Sequence, residues 1–153
     1  MLYVTIHAAW MILAVAVGTV AGYQGLLRAT QRPGRPSLLP GRFLLKSHIR
    51  FGTVFYLMLY AGILYGWAMH EFLFRGRSLL PPTIGAVHLV LALVIGALYG
   101  LAWAVGLSLT RHPAGAVRAR PRLHMALNFT ACTLVAVQIA LAVYYVWIWP
   151  TTL

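Results

Sequence analysis

Charge is what this sequence lacks. Only 8% of its 153 residues are Asp, Glu, Lys or Arg, against 61% apolar residues, and the mean hydropathy is +0.83. So little polar surface cannot cover a water-soluble globule, and the solvent must be a lipid bilayer. Negative charge is scarcest of all, with Glu71 the single acidic residue. A polar path through a membrane draws on intramembrane carboxylates, so their shortage argues against a transporter or proton relay without closing that reading. Cysteine is reduced to Cys132, in the middle of the last apolar stretch, where a packing role suits it. Zinc is disfavoured, because the histidines are dispersed and no carboxylate cluster or second cysteine accompanies them. No repeat or low-complexity tract stands out.

What is present is a set of four apolar runs, each long enough to cross hydrocarbon as a helix that satisfies its own backbone. They predict helices over Leu2–Leu27, Leu44–Phe72, Thr83–Leu109 and His124–Pro150. The first run has no basic leader and no small-residue cleavage site, and reads as a retained helix, not a signal peptide. The connections are short and broken by Pro33, Pro36, Pro40 and Gly41, by Pro81 and Pro82, and by Pro113, Gly115 and Pro121. The expected fold is therefore one all-α transmembrane domain, an up-down four-helix bundle in which any chemistry lies between helices.

A net charge of +11 would suggest nucleic acid in a soluble protein; here no nucleic acid is expected, and the distribution of the charge matters more. Arg28, Arg32, Arg35, Arg42 and Lys46 occupy the first connection, with Arg50 just inside helix two. Arg111, Arg118, Arg120 and Arg122 occupy the third, while the second has Arg75 and Arg77 beside Glu71. By the positive-inside rule the first and third connections face the cytoplasm and both termini face outward, an arrangement suited to a bacterial cytoplasmic membrane. Most of these cations set topology and meet anionic head groups.

Histidine carries the functional signal. Histidines within membrane spans are uncommon and face a bundle interior or cavity, and five of the six fall within or at the ends of spans: His7, His48, His70, His88 and His124. A rise of about 1.5 Å per residue puts His7 and His88 roughly 10 Å toward the outer face of their spans, and His48 and His124 roughly 16 to 18 Å toward the inner face. Two imidazoles at one depth on different helices can grip a haem iron from both sides, and the sequence offers two such pairs.

The surroundings admit two readings each. Gly18 with Gly22, Gly62 with Gly66 and Gly96 with Gly100 make room for a porphyrin or make close helix contacts. Gly52, one turn after His48, sits where a side chain would meet the macrocycle. Arg50, Arg120 and Arg122, within a turn or so of His48 or His124, are suited to haem propionates or to snorkelling. No C-x-x-C-H string exists, so covalent attachment is excluded and the haem is b-type. Asn128 and Gln138 are candidate partners of the ligands or of a quinone, or plain interhelical hydrogen-bond formers. His112, in the basic third connection, reads as solvent-facing.

One histidine in each of four consecutive helices, His7, His48, His88 and His124, resembles the core of the cytochrome b561 superfamily of dihaem transmembrane electron carriers. The resemblance covers nearly the whole chain and rests on spacing. It implies two haems b, the outer held by His7 and His88 and the inner by His48 and His124, with electrons crossing the membrane. Small dihaem subunits of bacterial membrane hydrogenases and formate dehydrogenases are a second resemblance, with ligands distributed differently among the helices. His70 lies outside the four-residue scheme; it is an alternative outer ligand, a proton acceptor with Glu71, or a head-group residue among Trp67, Phe72 and Phe74. The expected partners are quinol or quinone and a separate redox protein or complex. A haem-free relay and a structural or assembly subunit are the competing readings.

Overall fold

The computed structural model describes residues 2–31, 39–73, 82–111 and 119–144. Arg32, Arg35, Phe74, Arg75, Arg77, His112, Arg118 and the last turns expected up to Pro150 lie outside the described residues. Four α-helices follow one another: α1 Leu2–Thr30, α2 Leu45–Ala68, α3 Pro82–Arg111 and α4 Ala119–Val143. A π-helical turn, Met69–Leu73, continues α2. Each helix is long and apolar enough to cross a bilayer, so the chain is a multi-pass integral membrane protein.

Two boundaries differ from expectation for local reasons. α1 runs three residues beyond Leu27 and places Arg28 in its last turn, where a cation faces the negative end of the helix. α4 starts at Ala119, five residues before His124. Pro121 stands in the first turn, where a missing N–H breaks no helical bond. Arg120 and Arg122, expected in a connection, are therefore on the opening turns of α4.

The chain divides into two compact units, Met1–Gly62 and Ile63–Leu153. In the first, α1 and the leading part of α2 run antiparallel, because contacts climbing α1 descend α2. Trp10 donates its indole N–H to the Met58 carbonyl at 2.8 Å, Gly18 faces the Phe55 ring, and His48 reaches Ala21. In the second, α3 and α4 form the same kind of hairpin, Gln138 meeting His88 and His124 meeting Ala102.

Among the described residues those buried are few and mostly small: Ala14, Ala21, Leu27, Phe55, Leu59 and Gly62 in the first unit, Ile95, Gly96, Ala102 and Ala131 in the second. Small residues let helix backbones approach where lipid supplies no hydrophobic drive for association. Many large apolar side chains are instead exposed; Ile12 is 70% and Leu57 61% exposed.

Residues 39–44 are strapped to the end of α1. The Tyr23 hydroxyl donates to the Pro40 carbonyl. Gln31 donates to the Gly41 carbonyl at 3.0 Å and accepts from the Phe43 N–H at 3.3 Å, while Gln24 accepts from the Leu44 N–H at 2.8 Å. Gly41 takes φ +97°, a left-handed conformation in which a side chain is strained. The Arg28 guanidinium lies 5.6 Å from the Phe43 ring centre, and that ring is 6.0 Å from the His48 imidazole. The strap thus leads into α2 one turn before its candidate ligand.

Candidate functional site

Each unit holds two half-buried histidines, His7 and His48 in the first and His88 and His124 in the second. His70 is exposed and bonded through Nδ1 to Glu71 at 3.2 Å, beside the edge-to-face pair of Trp67 and Phe72. Burial separates the four from the fifth.

In the first unit, His48 Nδ1 lies 3.0 Å from the carbonyl oxygen of Ala21. In the second, His124 Nδ1 lies 2.8 Å from the carbonyl oxygen of Ala102. A carbonyl only accepts, so Nδ1 carries the proton in both rings, and a neutral imidazole then shows a lone pair at Nε2. That is the tautomer a metal-binding histidine needs, held by a hydrogen bond from its other nitrogen.

Both acceptor carbonyls belong to helices and already receive the N–H four residues on, from Gly25 and Gly106. A glycine at that place leaves a ring free to approach the same oxygen. A Cβ on Gly25 would stand 3.6 Å from His48 Cε1, and one on Gly106 would stand 3.1 Å from His124 Cε1. The sequence reading missed these four residues. Their signal was present: fourteen residues separate His7 from Ala21 and His88 from Ala102, and a glycine follows four later in both helices.

The carboxamides sort themselves by histidine. Asn128 Nδ2 donates to the His124 carbonyl at 2.7 Å and stands 3.5 Å from His124 Nε2. Gln138 Nε2 donates to the His88 carbonyl at 3.2 Å and stands 3.5 Å from His88 Nε2. Gln138 thus attends the histidine of α3 from the helix that carries His124. At 3.5 Å an amide N–H is too far to hold an Nε2 lone pair strongly.

No family model, curated protein or solved structure matches this chain. Its chemistry has to be read from its own residues.

The remaining site residues fall into place by surroundings. A Cβ on Gly52 or Gly22 would meet nothing within 4 Å, whereas one on Gly18 would be 2.8 Å from the Phe55 ring and one on Gly62 would strike Met11. Gly18 and Gly62 serve helix packing; Gly52 and Gly22 border open space. Arg50, Arg120 and Arg122 are exposed, and Arg120 lines a shallow apolar depression with Ala104, Val105, Ser108 and Leu123. His7 is half-buried with its Nδ1 enclosed.

Proposed function

We propose that this chain is a membrane-embedded b-type cytochrome that carries electrons across the bilayer through two bis-histidine haems, His7 with His88 and His48 with His124. The observation that carries the reading is a hydrogen bond repeated in both units: Nδ1 of His48 and of His124 lies within reach of a helix carbonyl, which calls for the proton at Nδ1 and so for the lone pair at Nε2. The depth of the histidines supports two levels of ligation. In each unit the carbonyl gripped by the second histidine lies about 21 Å along the helix from the first, at 1.5 Å per residue.

The residues fit haem b. The open space at Gly52 accepts a flat ring beside His48, and Arg50, Arg120 and Arg122 offer exposed guanidinium groups for propionates, with snorkelling as their role when they are not so engaged. Haem held between His7 and His88 or between His48 and His124 would supply one-electron exchange and no bond chemistry on a substrate. The chain's own contribution is to hold the imidazoles in one tautomer, to exclude water with apolar helix faces, and to tune the site with the Asn128 and Gln138 carboxamides. The connections are too short to house a donor or acceptor domain, which points to quinol or quinone in the bilayer and to a separate redox protein or complex. The proposed setting is a bacterial inner membrane, with the up-down bundle presenting both termini on its outer side.

One observation favours a second reading, a structural or assembly subunit. Trp10 docks on the Met58 carbonyl by the same ring N–H bond, and indole cannot ligate iron, so the device also serves as helix glue. Reduced-minus-oxidised spectra of single alanine variants separate the two. The cytochrome reading expects His7→Ala and His88→Ala to remove one spectral component, and His48→Ala and His124→Ala to remove the other. Folded variants that retain both components would refute it.

A further inference from the structure

We infer that Gly25 and Gly106 are positioning residues that set which nitrogen His48 and His124 present, in an arrangement that the two units repeat. The inference rests on the cytochrome reading only for what the nitrogen is presented to.

Laying His7 on His88 brings Ala16 onto Ala97, Ala21 onto Ala102, Gly25 onto Gly106 and Leu26 onto Leu107. Laying His48 on His124 brings Lys46 onto Arg122 and the buried Phe55 onto the buried Ala131. The hydrogen bonds repeat with the residues, Nδ1 of the second helix's histidine on the carbonyl of the first helix's alanine. From first to second histidine the spacing is 41 residues in one unit and 36 in the other, so the units differ in the stretch that connects the helices. Each proposed haem pair then consists of a residue and its own equivalent, His7 with His88 and His48 with His124.

The role of the glycines follows from how a second donor reaches a helix carbonyl. The oxygen already accepts from the residue four ahead, and that residue's side chain stands in the path of a ring. Trp10 supplies a related case: its acceptor is Met58, the residue four ahead is Gly62, and a Cβ there would stand 3.2 Å from Trp10 Cδ1 as well as striking Met11. Gln138 supplies the contrast. It reaches the His88 carbonyl with a flexible carboxamide, and the residue four ahead is Ala92. Rigid rings take a glycine at that position and a slender chain does not.

The two units differ on the helix that bears His48 or His124. Asn128 and Gln138 of the second unit align with Gly52 and Gly62 of the first. His124 Nε2 therefore has an amide nitrogen 3.5 Å away, whereas the position aligned with Asn128 has no side chain and open space around it.

The test uses the full chain in nanodiscs, labelled with 15N-histidine and produced without haem, and the same variants produced with haem. The wild-type chain is expected to show His48 and His124 protonated at Nδ1. Gly106→Ala, whose Cβ falls 3.1 Å from the ring, is expected to give His124 a mixed tautomer and about 10- to 100-fold weaker haem retention. Gly25→Ala, at 3.6 Å, is expected to leave His48 as it was, while the larger Gly25→Leu displaces it. Circular dichroism verifies the helices in each variant. Wild-type rings protonated at Nε2 would overturn the inference whatever the variants do, as would unchanged tautomers in both Gly106→Ala and Gly25→Leu. A chain that takes up no haem but shows the graded tautomer response would defeat the cytochrome reading and leave the positioning role standing.

Discussion

Gly18 and Gly22 lie one turn apart on α1 and share a small-xxx-small motif, yet their surroundings predict opposite responses to one added methyl. A Cβ at Gly18 would lie 2.8 and 2.9 Å from two ring carbons of Phe55, a residue only 8% exposed, whereas a Cβ at Gly22 meets nothing within 4 Å. Forcing a methyl into a filled contact costs about 1–3 kcal/mol. Replacing glycine by alanine within a helix returns about 0.5–1 kcal/mol at either position. That gain cancels between the two variants, so Gly18→Ala should be less stable than Gly22→Ala by about 1–3 kcal/mol. Reversible unfolding of the full chain in mixed micelles with increasing SDS, followed by circular dichroism, measures the difference. Equal stability of the two variants, or a Gly22→Ala protein as weakened as Gly18→Ala, would refute the packing of α1 on α2 described above.

Other outcomes follow from the same contacts. Trp10→Phe removes the donor to the Met58 carbonyl and should cost about 0.6 kcal/mol in the same assay, the usual worth of an interhelical hydrogen bond in a bilayer protein. Gly41→Ala puts a side chain on a residue at φ +97° and should cost about 1–3 kcal/mol. It should also speed proteolysis at residues 39–44, while an unchanged digestion pattern would argue against the strap. His70→Ala should leave haem content as it is in the wild type, since His70 is exposed and engaged with Glu71; loss of one haem would move His70 into the outer ligand set.

The helices were legible because bilayer solvation imposes a length and a composition that any local sequence must meet. All four expected spans are helices, with starts and stops shifted where caps and prolines act locally, as at Pro121. The burial that sets four histidines apart from His70 was partly legible, since depth follows from counting residues. Glycine roles were not: Gly18, Gly22, Gly52 and Gly62 are one letter in the sequence, and only the neighbour across the hairpin separates a packing glycine from one beside open space. The alanine carbonyls that hold His48 and His124 were invisible for a different reason. They are backbone groups, and the side chain that marks them is the glycine four residues later. The fourteen-residue interval shared by α1 and α3 gains meaning once each ends at a carbonyl gripped by a histidine.

Haem b per chain in the purified protein, from a pyridine haemochrome assay set against quantitative amino-acid analysis, decides between a cytochrome and a structural subunit. About two haems b per chain are expected, each bound through two imidazoles. A folded, helical chain that is colourless after production with ample haem would contradict the cytochrome reading.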